Sequence, residues 1–476
     1  MKRGLKWLGL GVVGLILLVY VFLAAALKWG EIRAGKNRDL DQSVFTHSTQ
    51  LHQLTLMDDG PTSLAKRLQL IDAARESLEL EFFIYDVDLA SRVLTQRLID
   101  KAHQGVRVRL LIDFATAPSE LGPAYAEALR AEGIDVRYYN VVQPYLVLSV
   151  QHRSHRKLLV ADGKVAITGG RNVGDEYFHV SQSFNFIDSD IVVEGPIVQS
   201  LLQSFEMYWG SPFAEAPRAP APTGDKRARA REFVTNTDAD RRVTDFIATH
   251  GPQLLARLQP HPCSDVTFVT DFPGVAEANR RVFQVLSQVF VEAKERIVGE
   301  SPYVIFGPGG VEVLEQLQQR GIQTTVLTNS LRSTDAFYTI SALFSTLPTL
   351  THTGLTLHAY DGTPADNLVA IPLPVTQRWG LHAKRAVIDD HTVVIGTYNI
   401  DPRSANLNSE MVLICRNSPA LAAQMRSSIE KHLTHSNRVL SQGQLQRSAL
   451  WRNATFLDQL KMWLALPLSS MFHFLL

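Results

Sequence analysis

Cysteine is nearly absent from this chain, since only Cys263 and Cys415 occur among its 476 residues. Two cysteines cannot form a disulfide framework or a cysteine zinc cluster, and they allow one bridge at most, so the redox compartment stays open. A charge excess is also missing, because 47 Lys and Arg residues balance 47 Asp and Glu residues. A dedicated nucleic-acid binder usually carries a basic excess, which makes DNA and RNA less favoured partners without excluding them.

The composition lacks any strong bias. Hydrophobic residues make up 45% and charged residues 20%, which is typical of a globular protein and excludes a disordered or collagen-like chain. The length is too great for one compact core, and it predicts two or three domains at roughly 150 residues each.

One long apolar run lies near the N-terminus. Leu8–Leu27 contains no charged residue over 20 positions, and as a helix it would span about 30 Å, the thickness of a bilayer core. Ala24–Ala26 also offer small residues for a signal peptidase. We favour a retained anchor over 1–34, because the run is longer than a usual signal core and Lys28 follows it at once. Basic residues flank both ends, so the orientation stays open.

The C-terminal region, 436–476, is apolar as well. Its last fifteen residues are too short to span a bilayer and are interrupted by Pro467. Two alternatives stay open: a tail packed on the domain surface, or docking at the membrane interface through Trp463 and the nearby phenylalanines.

Between the termini, short β-rich runs alternate with helical ones, which predicts an α/β fold with helices on both faces of each sheet. The order recurs in the two halves, predicted as domains over 45–212 and 233–435. The Pro-, Ala- and Arg-rich stretch between them, 213–232, has no apolar periodicity and is predicted to be an exposed linker.

A polar motif is duplicated within these halves. His155, Lys157, Asp162, Gly169 and Asn172 recur as a set exactly 227 residues later. The second set is His382, Lys384, Asp389, Gly396 and Asn399.

Histidine and lysine two residues apart on a strand point to the same face. Two such pairs, brought together by approximate two-fold symmetry, suit an anion whose bond breaks by displacement. A phosphodiester fits, because one histidine can attack phosphorus while the other protonates the leaving alcohol. Lysines and asparagines would bind the non-bridging oxygens. Lys157 and Lys384 supply the positive charge, and the repeat brings no carboxylates to the histidines, so we expect no metal and no cofactor.

The doubled His-x-Lys-x4-Asp-x6-Gly-Gly/Ser-x-Asn pattern resembles the phospholipase D superfamily, over roughly residues 50–435. The strings over 169–178 and 399–410 resemble its bacterial cardiolipin synthase branch. The resemblance implies two similar phospholipase D-type α/β domains, each a mixed sheet flanked by helices, related by pseudo-two-fold symmetry and preceded by a transmembrane helix.

The resemblance also implies roles. His155 would be the nucleophile, and His382 would be the general acid and then the base. Asp188 and Glu410 would orient His155 and His382 through their far ring nitrogens. The catalytic set of the motif is His155, Lys157, Asp162, His382, Lys384 and Asp389, within which the two aspartates look structural. The implied phosphate-binding residues are the two lysines with Asn172 and Asn399.

Three further positions carry expectations. Thr397 stands where the second copy usually has serine or glycine, and because it keeps a hydroxyl we expect little loss. His152 and His391 lie outside the motif and are interpreted as surface residues.

The function implied is a membrane-anchored, cardiolipin synthase-like phosphatidyltransferase in a bacterial inner membrane, with phospholipids as substrates and no nucleic acid expected. Hydrolysis of phospholipids, a nuclease of the same superfamily and a non-catalytic lipid-binding relative are the alternatives. The donor, the acceptor, the membrane side and the oligomeric state stay open.

Overall fold

The computed structural model describes residues 45–115, 121–142, 149–217, 224–235, 241–275, 280–364 and 377–476, with six helical positions between residues 11 and 25. The rest of the predicted anchor lies outside the described residues. Within the described ranges, no helix combines the length and the apolar character needed to cross a bilayer.

The described strands are numbered in chain order. They are β1 (Phe45–Ser48), β2 (His52–Met57), β3 (Ser77–Phe82), β4 (Arg107–Asp113), β5 (Ile134–Tyr139), β6 (Leu158–Ala161), β7 (Val165–Gly169), β8 (Phe184–Ile187), β9 (Asp190–Glu194), β10 (Ala214–Glu215), β11 (Pro260–Cys263), β12 (Val266–Thr270), β13 (Arg296–Glu300), β14 (Gln323–Asn329), β15 (Thr356–Tyr360), β16 (Arg378–Leu381), β17 (Arg385–Ile388), β18 (Thr392–Gly396), β19 (Met411–Cys415), β20 (Ser436–Ser441) and β21 (Gln444–Leu445).

The helices after residue 45 are numbered likewise. They are α1 (Gly60–Ala73), α2 (Leu89–His103), α3 (Pro123–Ala131), α4 (Val198–Trp209), α5 (Gly224–Thr235), α6 (Arg242–Ala256), α7 (Val282–Val291), α8 (Pro308–Gln319), α9 (Phe337–Thr346), α10 (Pro402–Asn406), α11 (Pro419–Leu433) and α12 (Phe456–Phe472).

Two mixed sheets share one strand order. In the first sheet the central order is β5-β4-β3-β6-β7-β9-β2, and in the second it is β15-β14-β13-β17-β18-β19-β12. In each, three parallel strands joined by helical crossovers meet four antiparallel ones. This confirms the predicted mixed α/β repeat.

The core between the two sheets is one apolar cluster with members from both. Leu158 and Val160 of β6 belong to it together with Val387 of β17, and so do buried residues of α4 and α11. The helices α1 and α2 cover the opposite face of the first sheet, and α7 and α8 cover the opposite face of the second. Burying apolar area on both faces of a sheet is the main force that holds such layers together.

The two halves exchange edge strands. β1 pairs with β12 of the second sheet, whereas β11 pairs with β2 of the first. A disulfide between Cys263 on β11 and Cys415 on β19 joins the two sheets covalently. The predicted domain boundaries at 45 and 233 therefore differ from the structure, because 45–48 belong to the second sheet and 260–263 to the first.

The predicted linker at 213–232 is wrong for its described residues. Ala214–Glu215 form β10, which pairs with β5 at the edge of the first sheet. Residues 224–235 form α5, in which Ala230, Phe233 and Val234 are buried. The Phe233 ring packs edge-on against Tyr125 of α3 at 5.6 Å between centroids, and the Arg92 guanidinium lies over the Phe233 ring at 5.1 Å. Three buried residues on an otherwise charged helix are too few to produce a clear periodic signal. Residues 218–223 lie outside the described residues.

The C-terminal region also differs from expectation. β20 and β21 extend the second sheet instead of belonging to a separate tail. Helix α12 runs through Pro467 without a break. Its Met462 is fully buried and accepts a hydrogen bond through its carbonyl from Ser341 of α9, at 2.8 Å.

Candidate active site

Each motif copy lies immediately before a central strand, where the opposite half holds it. His155 and Lys157 precede β6, and the His155 amide donates to the carbonyl of Ser409 at 2.9 Å. His382 and Lys384 precede β17, and the His382 amide donates to the carbonyl of Ile187 at 2.7 Å. Both histidines are buried, with 7% and 5% of their surface exposed. The predicted juxtaposition of the two copies is therefore present.

The carboxylates are exchanged between the halves, which reverses the order of the expected pairs. Glu410 of the second half lies 3.0 Å from Nδ1 of His155, and Asp188 of the first half lies 2.5 Å from Nδ1 of His382. Nδ1 of His155 also donates to the carbonyl of Thr397 at 3.0 Å. That contact fixes the tautomer, because a carbonyl oxygen can only accept, and it leaves the lone pair of Nε2 available.

The two carboxyl groups differ in charge. Burial raises the pKa of Glu410 to about 7, against the opposing charge of Lys157. Burial also disfavours ionisation of Asp188, but the neighbouring His382 and Lys384 outweigh it and hold the pKa of Asp188 far below its usual range. Asp188 is thus a fixed anion at neutral pH, whereas Glu410 is close to half protonated.

The lysine of the opposite half contributes to lowering the pKa of each histidine. Burial, followed by the charges of Lys157 and Lys384, holds the pKa of His155 well below its ordinary value. Burial and then Lys384 lower the pKa of His382 to about 4 in the empty site, and Lys157 adds to this effect. A bound anion opposes these effects, because negative charge stabilises the imidazolium.

The two motif lysines are buried, and the charge of Lys384 acts on Lys157. Lys157 donates to the carbonyl of His155 at 2.6 Å, and Lys384 donates to that of His382. Burial and the charge of Lys384 keep the pKa of Lys157 well below its ordinary value, and burial lowers that of Lys384 to about 8. Mutual repulsion of buried ammonium groups is relieved by an anion, so the arrangement favours a phosphate.

The asparagines of the motif accompany this site. Asn172 is buried, and its Oδ1 accepts from the backbone amide of Ile84 at 3.2 Å. The donor end of its amide is therefore the end left for a phosphate oxygen. Asn399 is buried in the equivalent place, and its backbone amide donates to Ser404.

Asp162 and Asp389 do not belong to the reacting group. Asp162 lies after β6, at the end away from His155, and accepts from the backbone amides of Arg75, Glu76 and Ser77. Asp389 accepts from the three amides of 294–296 in the same way. Both carboxylates bind the backbone at the start of the neighbouring strand, which is the structural role that the resemblance implies for these two members of the motif.

The motif glycines permit close strand contacts. A Cβ on Gly169, whose φ is +152°, would lie 2.4 Å from the carbonyl oxygen of Ser189, and one on Gly396 would lie 2.2 Å from that of Met411. A Cβ on Gly170 would lie 2.2 Å from Oδ1 of Asp188. These three positions thus exclude any side chain.

Thr397 occupies the position equivalent to Gly170, and its hydroxyl donates to Glu410 at 2.5 Å. This contact agrees with the expectation that threonine keeps the useful hydroxyl. Sequence reasoning missed Ser404, which donates to the other Glu410 oxygen at 2.9 Å. A signal existed, because Asp401 followed by Pro402 is a helix N-cap pattern that fixes Ser404 in the first turn of α10.

Aromatic rings next to the histidines were also missed. Phe83 packs edge-on against His155 with centroids 5.3 Å apart, and Tyr177 and Phe186 lie 5.3 and 5.0 Å from His382. The surface interpretation of His152 is wrong, since it is buried beside the carbonyl of Leu407. His391 is exposed, as expected.

Comparisons with known proteins agree with this geometry. The family model described as "Cardiolipin synthase, PLD-like domain" matches residues 68–209 and 286–433. An uncharacterized protein of Helicobacter pylori is 27% identical over 80% of this chain and 79% of its own length. Cardiolipin synthase C of Escherichia coli is 27% identical over 73% of this chain and 78% of its own. The major cardiolipin synthase ClsA of Bacillus subtilis is 24% identical over 86% of this chain and 74% of its own length.

Among solved structures, the phosphatidylserine synthase of Haemophilus influenzae Rd KW20 superposes with a TM-score of 0.64. The superposition covers 94% of this chain and 100% of that one at 14% sequence identity. At that identity the likeness is one of fold.

Proposed function

On the premise that the chain belongs to the phospholipase D superfamily, in its cardiolipin synthase-like branch, we propose that it is a phospholipid phosphatidyltransferase that works through a phosphohistidine. The observation that supports this most strongly is the pair of buried imidazoles, each held through Nδ1 by a carboxyl group of the opposite half beside two lysines. The names of the cardiolipin synthase relatives support phospholipids as the substrate class.

In the first step, Nε2 of His155 attacks the phosphorus of the donor phosphodiester. The P–N bond forms while the P–O bond to the leaving alcohol breaks, and the imidazolium of His382 transfers its proton to that alcohol. Lys157 and Lys384 neutralise the charge that grows on the non-bridging oxygens. The phosphatidyl group is then held on His155.

In the second step, His382 takes the proton of an acceptor hydroxyl. The acceptor oxygen bonds to phosphorus, the P–N bond breaks, and His155 is regenerated neutral. A lipid alcohol gives transfer, whereas water gives phosphatidic acid, so access of the acceptor determines the outcome.

The assignment of the two histidines rests on their carboxyl partners. The fixed anion of Asp188 favours the imidazolium of His382, which suits an acid. The half-neutral Glu410 favours a neutral His155, whose Nε2 lone pair suits a nucleophile.

Membrane contact is part of the proposal. Helix α12 exposes Phe456, Leu460, Leu464 and Leu468 by 80%, 41%, 70% and 62%, and these positions recur every four residues, so they share one face. The chain end after α12 binds Arg403 of α10 through the carbonyls of Leu475 and Leu476. We place this apolar face at the bilayer interface, together with the predicted N-terminal anchor, in a bacterial inner membrane.

The test is incubation of the full-length protein with defined phospholipids and mass spectrometry of the products. We expect a new diphosphatidyl or other phosphatidyl-transfer product, and no product from His155→Ala. The matched control is His391→Ala, an exposed histidine outside the motif, which should retain full activity.

A phosphatidic acid product alone would replace transfer by hydrolysis. Turnover by purified His155→Ala at the wild-type rate would contradict the nucleophile. Cleavage of nucleic acid that weakens steeply with salt, without action on lipids, would favour the nuclease alternative.

A further inference from the structure

A cavity of about 320 Å³ lies on the face of the second sheet that points away from the first. Helices α7 and α8 form its sides, and its lining is predominantly carbon, including Phe283, Leu286, Phe290, Phe306 and Leu314. Its volume falls within the range of about 300–1,000 Å³ that is common for small-molecule sites. Carbon lining at this size favours an apolar ligand.

The cavity adjoins the segment after β18 that carries Asn399. Tyr398 and Ile400 line it, and the residue between them is Asn399, which we assign to the phosphate. Ile400 is held in place because its carbonyl accepts from the amide of Ile305 at 2.7 Å and its own amide donates to Ser301. The lining of the cavity therefore includes both chain neighbours of the residue that we assign to the phosphate.

In the described part of the first half, buried side chains occupy the positions equivalent to two lining residues, Tyr398 and Ala405. Phe178 is fully buried in the cluster that joins α1 and α2, and its Cα lies 2.6 Å from where a Cβ of Gly60 would be. Arg171, the counterpart of Tyr398 by the 227-residue offset, is paired with Asp190 at 2.9 Å. Phe178 and Arg171 thus occupy, in the first half, the positions that correspond to the cavity lining of the second half.

We propose that this cavity receives one acyl chain of the donor phospholipid, the lipid whose phosphorus lies between the two histidines. The inference rests on the proposed function. The donor is favoured over the acceptor, because only the donor's reacting phosphate is bound by Asn399, directly between the two lining residues.

The test fills the cavity from both walls. Ser287→Phe from α7 and Val313→Trp from α8 place rings in the space, since both residues line it. Gln288→Phe and Gln316→Trp are the matched controls, because they are exposed on the same helices and outside the lining. Circular dichroism and thermal unfolding identify any variant that fails to fold.

The measured quantity is the ratio of kcat/KM for a long-chain to a short-chain phosphatidylglycerol, both at one surface fraction in detergent micelles. Each methylene withdrawn from apolar burial is worth about fourfold. We therefore expect the filled variants to lose at least tenfold for the long-chain donor and less than about twofold for the short-chain donor. Equal losses for both donors, or no loss in folded variants, would overturn the proposal.

A second readout does not depend on turnover. Phosphatidylglycerol with a photoreactive diazirine near the end of one acyl chain is cross-linked to the wild-type protein, and adducts are mapped by mass spectrometry. We expect adducts in 282–291 and 308–319, and their loss in Ser287→Phe. Adducts confined to α12 would overturn the cavity site, whereas adducts in the cavity without any phosphatidyl product would overturn the proposed function and retain the site.

Discussion

The two halves of this molecule share a strand order and a motif, but they differ in the groups around the motif. In the first half, Gly170 has no side chain, so the carboxylate of Asp188 can lie against the backbone of Gly170. This carboxylate stays ionised beside His382. In the second half, Thr397 occupies the same position and donates to the longer, half-protonated Glu410 beside His155. The comparison teaches that the histidines and lysines of the motif are duplicated, whereas the neighbouring groups that set their proton affinity differ between the halves.

The largest expected effect is on turnover by the carboxyl variants. Asp188→Asn removes the anion that stabilises the imidazolium of His382, so we expect kcat/KM to fall on the order of 10²–10³-fold. Glu410→Gln should cost only about tenfold, because Glu410 is already half neutral at pH 7. Initial rates with one defined phospholipid donor measure both losses.

A donor with a nitrophenolate leaving group sharpens this comparison. Such a leaving group needs no proton, so Asp188→Asn should regain most of its first-step rate, whereas Glu410→Gln should not. Equal behaviour of the two variants with both donors would mean that the halves do not divide the acid and the nucleophile in this way.

The next effect is on the free energy of unfolding, and we expect Glu410→Gln and Asp188→Asn to change it in opposite directions. The folded pKa of Glu410 is raised to about 7 from an ordinary 4.5, so the folded state holds the proton and its stability falls as pH rises from 4.5 to 7. Glu410→Gln should therefore raise the free energy of unfolding at pH 8 by about 1–2 kcal/mol.

Asp188→Asn is the matched comparison. In the wild-type protein, the folded state lowers the pKa of Asp188. The ionised carboxylate therefore contributes stability above the unfolded pKa, and this contribution is lost as pH falls through the folded pKa. The variant should be less stable than wild type at pH 8. Denaturant unfolding at pH 5 and pH 8 measures both, and stabilisation by the two substitutions alike would contradict the assigned charges.

The smallest effect concerns the exposed apolar face of helix α12. A nitrobenzoxadiazole probe on Leu464→Cys of α12, in the full chain reconstituted in vesicles, should be quenched by doxyl lipids at least about threefold more than a probe on Asp100→Cys of α2. Asp100 is exposed on the first half and is the control. Equal quenching would place α12 away from the bilayer.

The sequence predicted the parts of the site whose spacing is local. His155 and Lys157 are two residues apart on one face, and the common offset of 227 residues identifies the second copy and the strand order that goes with it. The pairing of Asp188 with His382 and of Glu410 with His155 was not visible, because it depends on how two separately folded sheets face each other. No local pattern records that choice.

Other differences have similar physical causes. Helix α5 buries only three residues, so its signal is obscured by the Pro, Ala and Arg residues around it. Pro467 predicts a helix break, yet α12 continues through it, because packing of Met462 and its neighbours on α9 outweighs one lost backbone hydrogen bond. The burial of His152 follows from contact with the distant Leu407, which is again non-local.

The exchange of edge strands has a consequence for the handling of this chain. A cut near residue 220 would leave an N-terminal fragment that carries β1 without its partner strand β12. The C-terminal fragment would carry β11 without its partner strand β2. Each piece would expose an unpaired strand edge of the kind that aggregates. We therefore expect that the two halves fold as one unit and that neither can be expressed alone as a stable domain.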